Sequence, residues 1–235
     1  FSAHGDVVRP VLAPTSVADT FAVTVHAFNL AEDLQTPVVI LSDQEIAQRK
    51  ESLDPIDTSV FTIHERRAPS VDELKDYRRF RMTDDCVSPI SHPGMAGGSY
   101  QGAGIEHNEA GSPTSSGAMH ARMNEKRFHK LDVLRTRGDL FSIEGDADAD
   151  LALISWGSTA GVCRAALALA RAEGLRVKLL VPWLLYPVAE ETYRILGHRM
   201  RVMTRGFVGR RRELQRLIRL LREGKDGGRV VAGAA

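Results

Sequence analysis

Residues 151–182 read LALISWGSTAGVCRAALALARAEGLRVKLLVP. Leu151 to Ser155 is an apolar run of strand length. Gly157-Ser158 turns the chain, and Ala165-Ala166-Leu167-Ala168-Leu169-Ala170 continues as a helix. Gly174 stands where a helix end passes through a left-handed residue, and Val177 to Val181 is a further strand closed by Pro182. Strand, helix and strand in that order form a βαβ unit, which sets its two strands parallel in one sheet.

The front of the chain repeats the pattern. Val7-Val8-Arg9-Pro10-Val11-Leu12 is rich in β-formers and stops at Pro14. Thr15 or Ser16 can cap a helix, and Asp19, three residues after Ser16, makes a weak capping-box pattern. Val17, Phe21, Val25, Phe28 and Ala31 recur at helical spacing and form its apolar stripe. Thr36-Pro37 ends the helix. Val38 to Leu41 is all apolar, the pattern of a strand buried on both faces of a parallel sheet. Two βαβ units separated by other chain specify an α/β protein with two parallel-sheet domains.

The intervening chain is less regular. Gln44 to Glu51 reads as a short polar helix, Val60 to His64 as a short strand, and 117–136 as a helix with Met119, Met123, Phe128 and Leu131 apolar. Between Asp85 and Pro113 glycines and prolines deny a regular element, yet Tyr100, Ile105, His107 and Glu109 make the stretch unlike a linker. Glu144-Gly145-Asp146-Ala147-Asp148-Ala149-Asp150 is an acidic joint and the best domain boundary. Tyr186-Pro187 reads as the start of another helix, with Glu190 and Glu191 in its first turn.

The chain has 235 residues, with 31 Lys+Arg against 30 Asp+Glu and a formal charge of +1. That balance conceals a split. Arg199 to Arg229 holds 11 basic and 3 acidic residues, leaving 20 and 27 elsewhere, a net of −7. Apolar residues at 43% and charged ones at 26% exclude a disordered chain, and no apolar run reaches membrane-spanning length. Cys86 and Cys163 are too few for a disulfide scaffold, so a reducing cytoplasm is expected. The chain starts at Phe1, without Met or a basic-then-apolar signal, like a piece of something longer.

Few constellations could carry chemistry. Trp156-Gly157-Ser158-Thr159-Ala160-Gly161 lies between strand and helix, where phosphates bind, but lacks GxGxxG spacing and a Walker lysine; a tight turn with a capping serine is the plainer reading. Asp43-Gln44 follows a strand at its C-terminal end, the ligand edge of open α/β sheets, and Asp43 could equally cap the next helix. His107 and Glu109 are loop or interface candidates whose plainer role, with Asn108, is to hydrogen-bond loop backbone. No HExxH or CxxC spacing is present, so no metal site is expected, and Cys163 reads as a small buried hydrophobe. Leu214, Leu217, Ile218 and Leu221 form one stripe among Arg211, Arg212, Arg216, Arg219 and Arg222. That is a docked terminal helix before it is a nucleic-acid arm.

Particular strings carry a family likeness: 13–19 (APTSVAD), 27–32 (AFNLAE), 35–44 (QTPVVILSDQ), 104–111 (GIEHNEAG), His120, Met123, 125–127 (EKR), 154–159 (ISWGST) and 182–187 (PWLLYP). Over residues 5 to about 196 the chain resembles the alpha subunit of 2-oxoacid:ferredoxin oxidoreductases, the 2-oxoglutarate type above all. The resemblance implies oxidative decarboxylation of 2-oxoglutarate or a related 2-oxoacid to an acyl-CoA, with electrons passed to ferredoxin. It implies thiamine diphosphate with Mg²⁺ shared with a beta subunit, an iron–sulfur cluster on that partner only, and coenzyme A as substrate. It implies residues 1–80 as the later part of a pyrimidine-binding-type domain, 81–143 as a Gly/Pro-rich connector and helix, and 144–235 as a transketolase C-terminal-like domain. The family's glutamate for the aminopyrimidine would lie upstream of Phe1, so the catalytic residues are expected there and on the beta subunit, and the chain alone is expected to be inactive. The arginine-rich end past residue 198 matches nothing in the family and reads as a divergent or non-native terminus. The rival readings are a component of a non-ferredoxin thiamine-dependent transketolase or dehydrogenase, and a non-catalytic binding or assembly module. No membrane and no nucleic-acid partner is expected.

Overall fold

A computed structural model describes residues 6–149, 151–189, 192, 193, 201–204 and 229–233. The chain divides into two compact units, Phe1–Pro10 with Val25–Val38 and Phe61–Val133, and Val11–Thr24 with Val39–Val60 and Leu134–Ala235. The fold is α/β, with both sheets in the second unit.

The first sheet has three short strands, β1 (Val11–Leu12), β2 (Val39–Ile40) and, from far along the chain, Leu184–Tyr186. β1 and β2 are parallel and joined through helix α1 (Val17–Leu34), the βαβ unit the sequence specifies. Leu184–Tyr186 adds antiparallel to β1, so the sheet is mixed. β1 is central and fully buried. β2 is the edge and Ile40 is 38% exposed, correcting the expectation of burial on both faces. Its apolar run looked two-sided because sequence cannot say which strand lies at an edge.

Ser16 and Asp19 form a full reciprocal box rather than a weak one. The Asp19 amide donates to Ser16 Oγ at 3.1 Å, while the Asp19 carboxylate accepts from the Ser16 amide at 2.9 Å and the Thr15 amide at 3.0 Å. Trp183 Nε1 donates to the same carboxylate at 3.2 Å, which ties the helix start to a segment 164 residues on. α1 stops at Leu34, and Gln35 takes the left-handed conformation, φ 47°. Its buried face is Val23, Ala27, Leu30 and Leu34. Phe28 is 70% exposed, so the stripe through Val17, Phe21 and Phe28 is the wrong face. α1 has apolar residues on more than one side, and spacing alone cannot choose between them.

After α1 and β2, α2 (Gln44–Gln48) is the short polar helix expected. Residues 58–60 are a 3₁₀ turn and 61–64 are irregular, so the strand read at Val60 to His64 does not form. α3 (Gly117–His129) buries Met123, and a 3₁₀ turn follows at Asp132–Thr136.

The second sheet begins with β3 (Phe141–Gly145), which the acidic-joint reading overlooked because this edge strand is mostly exposed, with only Phe141 and Glu144 half-buried, and so carries no apolar run. β4 (Leu151–Ser155), α4 (Thr159–Ala172) and β5 (Val177–Pro182) form the second βαβ unit. Leu184–Tyr186 is β6, whose backbone closes the first sheet, so the helix read from Tyr186-Pro187 starts later than expected: residues 192–193 are helical and the Tyr193 amide donates to the Ala189 carbonyl at 3.2 Å. β7 (Arg201–Thr204) and β8 (Arg229–Gly233) complete the order β3-β5-β4-β8-β7, parallel except for β3, so this sheet also is mixed. Leu151, Leu153, Cys163, Leu167, Ala170, Val177, Leu179 and Val181 pack one face, and Ala152 and Leu180 lie on the other. The arginine stripe at 211–222 lies outside the described residues.

Candidate functional site

In the second unit, Asp43 and the Gly157-Ser158 turn come together. Asp43 caps α2, its Oδ1 accepting from the Ile46 amide at 3.0 Å. Its Oδ2 accepts from the Ser158 amide at 2.6 Å, at the start of α4. A helix start offers unpaired N–H groups and a positive dipole end, which favour an anion there. The chain's own carboxylate takes that place. Partial burial pushes the Asp43 carboxyl up, but the Ser158 and Ile46 amides outweigh it and hold the group below its ordinary value. The Ser158 side chain makes no cap bond; Thr159 Oγ1 donates to the Trp156 carbonyl at 2.8 Å instead. Gln44 is exposed, and among the described residues its side chain donates to Gln48 Oε1 at 3.4 Å.

In the first unit, the Gly/Pro-rich stretch folds back on itself. The Asn108 amide donates to the Ser112 carbonyl at 2.9 Å and the Thr114 amide to the Glu106 carbonyl at 3.0 Å. Asn108 Oδ1 accepts from Ala110 and Ser112 amides, and Gly111, φ 90°, packs its bare Cα against the Gln101 carbonyl. Glu109 pins this loop: its carbonyl accepts from the Phe80 amide at 2.9 Å, its Oε2 from the Met82 amide at 3.1 Å. His107 bonds the Asn108 carbonyl through Nδ1 and lies on Phe80, ring centroids 3.9 Å apart. Glu106 meets Arg127 at 2.7 Å and His120 Nδ1. Burial raises its carboxyl, but Arg127 and His120 prevail and bring it to about 2.

Sequence reasoning missed a basic pocket in this unit. A cavity of about 160 Å³ is lined by Gln35, Arg79, Cys86, Ser88, Lys126 and Lys130 among others. Lys126 Nζ donates to the Phe80 and Arg81 carbonyls at 2.9 and 2.6 Å and to Ser88 Oγ. Burial, with Lys130 and Arg79 adding repulsion, lowers Lys126 to about 8. The available signal was a cation pair at i and i+4, Lys126 and Lys130, on the α3 face that buries Met123. Among the described residues no group of three or more His, Cys, Asp or Glu could hold a metal, and no helix is long and apolar enough to cross a membrane.

Comparison with known proteins agrees with this fold. A family model described as pyruvate flavodoxin/ferredoxin oxidoreductase, thiamine diP-bdg, matches residues 2–126. Over 191 residues the chain is 35% identical to 2-oxoacid:ferredoxin oxidoreductase 2, subunit alpha, of Aeropyrum pernix, covering 80% of this chain and 29% of that one. It is 30% identical over 190 residues to the 2-oxoglutarate synthase subunit KorA of Methanothermobacter thermautotrophicus, covering 78% and 49%. A solved 2-oxoglutarate:ferredoxin oxidoreductase from Magnetococcus marinus, with 2-oxoglutarate, coenzyme A and succinyl-CoA bound, superposes with TM-score 0.77 and 34% identity, covering 98% of this chain and 40% of that one. The chain thus spans about half or less of the relatives it matches.

Proposed function

The chain belongs to the pyruvate flavodoxin/ferredoxin oxidoreductase family of thiamine diphosphate-binding proteins, and on that premise we propose that it is part of the alpha subunit of a 2-oxoacid:ferredoxin oxidoreductase. The substrate in this reading is 2-oxoglutarate or a close relative, converted to an acyl-CoA while ferredoxin takes the electrons. The observation that carries it is the likeness to the Magnetococcus marinus enzyme over 98% of this chain at 34% identity, joined to the family match over 2–126.

The described residues do not fit a diphosphate and its Mg²⁺. The helix start that could cradle a phosphate is taken by Asp43, and no acidic cluster stands ready for the cation. In the proposed complex a beta subunit therefore carries diphosphate, Mg²⁺ and the iron–sulfur cluster. Residues 1–80 serve as the later part of the pyrimidine-type domain, 81–143 as connector and helix, and 144–235 as the transketolase C-terminal-like domain. A sheet built wholly from residues 141–233 supports the last of these three parts, its first strand beginning at Phe141 rather than at 144, while the family match runs unbroken over 2–126 and marks no boundary at 80. Asp43, Gln44, His107 and Glu109 act on this view through the shape of the turn and loop that they hold, and the setting is the cytoplasm.

The test is co-expression of the gene in its full reading frame with a beta-subunit gene from the same genome. We expect viologen reduction that requires 2-oxoglutarate, coenzyme A and thiamine diphosphate together. Turnover that persists without thiamine diphosphate overturns the proposal; a partner without cluster cysteines would instead favour a transketolase or dehydrogenase component.

A further inference from the structure

We propose that the pocket beneath α3 in the first unit is a binding site for a small oxyanion, phosphate or the carboxylate of a short organic acid. Three cations, Arg79, Lys126 and Lys130, line it. Among the described residues, their side chains hydrogen-bond to uncharged acceptors: Gln35 Oε1 and the Ser88 carbonyl for Arg79, backbone carbonyls and Ser88 Oγ for Lys126, the Leu34 carbonyl for Lys130. The fourth cation of the wall, Arg127, is already paired with Glu106 at 2.7 Å.

The Glu109 carboxylate attracts Lys126 without being one of its hydrogen-bond acceptors; burying three cations against so little opposing charge is costly, and an anion in their midst offsets that cost. Burial lowers all three cations, and their mutual repulsion lowers Lys126 and Lys130 further. Lys126 spends its three N–H groups on protein oxygens, whereas Lys130 has one such bond among the described residues, to Leu34 at 3.1 Å, and so keeps donors for a ligand. The wall is held firmly. Gln35 and Cys86 both stand in the left-handed region, φ 47° and 60°, and the Gln35 amide links Arg79 to the Ser88 carbonyl. A volume of about 160 Å³ suits an ion of phosphate size. Lys130 also lines a wider cleft of about 470 Å³ with Thr36, Gly104 and Glu106, so the two cavities share a wall. The inference rests on this chain alone and not on the enzyme activity proposed above.

Thermal unfolding of the 235-residue chain, followed at constant ionic strength in chloride, inorganic phosphate and 2-oxoglutarate, tests it, with equilibrium dialysis of radiolabelled phosphate as the direct measurement. We expect saturable stabilisation by at least one of the two oxyanions, and the arm that responds identifies the source. Lys130→Met should weaken binding by about tenfold or more, the scale of a lost charge-assisted bond, while melting in chloride at or above the parent. Lys130→Gln serves if the methionine variant does not fold. No stabilisation or binding beyond chloride, or the same affinity in the Lys130 variant, overturns the proposal.

Discussion

Asp43→Ala removes one carboxylate from two helix starts at once. Loss of the α2 cap costs about 1 kcal/mol, and loss of a charged acceptor from the Ser158 amide costs about 1.5–3 kcal/mol. Asp43 is half-buried, so solvent replaces part of both bonds and the lower ends apply, about 2–3 kcal/mol together. In a chain of 235 residues that corresponds to roughly 5–10 °C in apparent Tm. The chain's two tryptophans, Trp156 and Trp183, both lie in the second unit, so their fluorescence follows that unit. The sign with pH follows from the lowered carboxyl. A group whose folded pKa lies below its ordinary 3.8 stabilises above that value and loses its contribution as pH falls through the folded pKa. The gap between parent and variant in urea midpoint should therefore be full at pH 7 and shrink below about pH 3.8. Equal midpoints at pH 7, or a gap undiminished in acid, would refute the argument. Asp43→Asn, which keeps an acceptor without the charge, should lose roughly half as much.

Gly111→Ala places a methyl on the Gln101 carbonyl at φ 90° and should cost about 3 kcal/mol or more, read as faster proteolysis within 85–113. Glu106→Gln should lose about 1–2 kcal/mol after solvent screening; the parent's advantage is complete above pH 4.5 and disappears towards pH 2, and a pH series of urea melts checks it. Phe28→Ser, at an exposed site, should shift the stability of the isolated chain by no more than about 0.5 kcal/mol in the same melts; a larger loss would restore the stripe first read through Phe28. Trp183→Phe keeps the ring but removes its bond to Asp19 and should cost about 1 kcal/mol in a urea melt followed by circular dichroism.

Local patterns determined much of this protein. The two βαβ units, the Ser16–Asp19 box, the α2 helix and the left-handed Gly174 all depend on residues within a turn or two of each other, where propensity and spacing act directly. The family likeness was legible for the same reason, carried by short strings. What only the tertiary structure decided is where distant segments meet. Which face of α1 is buried, that β2 is an edge and that Leu184–Tyr186 joins β1 depend on neighbours far along the chain. Asp43 reaches Ser158 across 115 residues, turning two separate site candidates into one clamp. The basic pocket gathers Gln35, Arg79, Cys86 and Lys130 from four segments, each ordinary by itself. A sequence shows each residue's own preference. Burial and charge compensation depend on what packs beside it, and folding alone sets that.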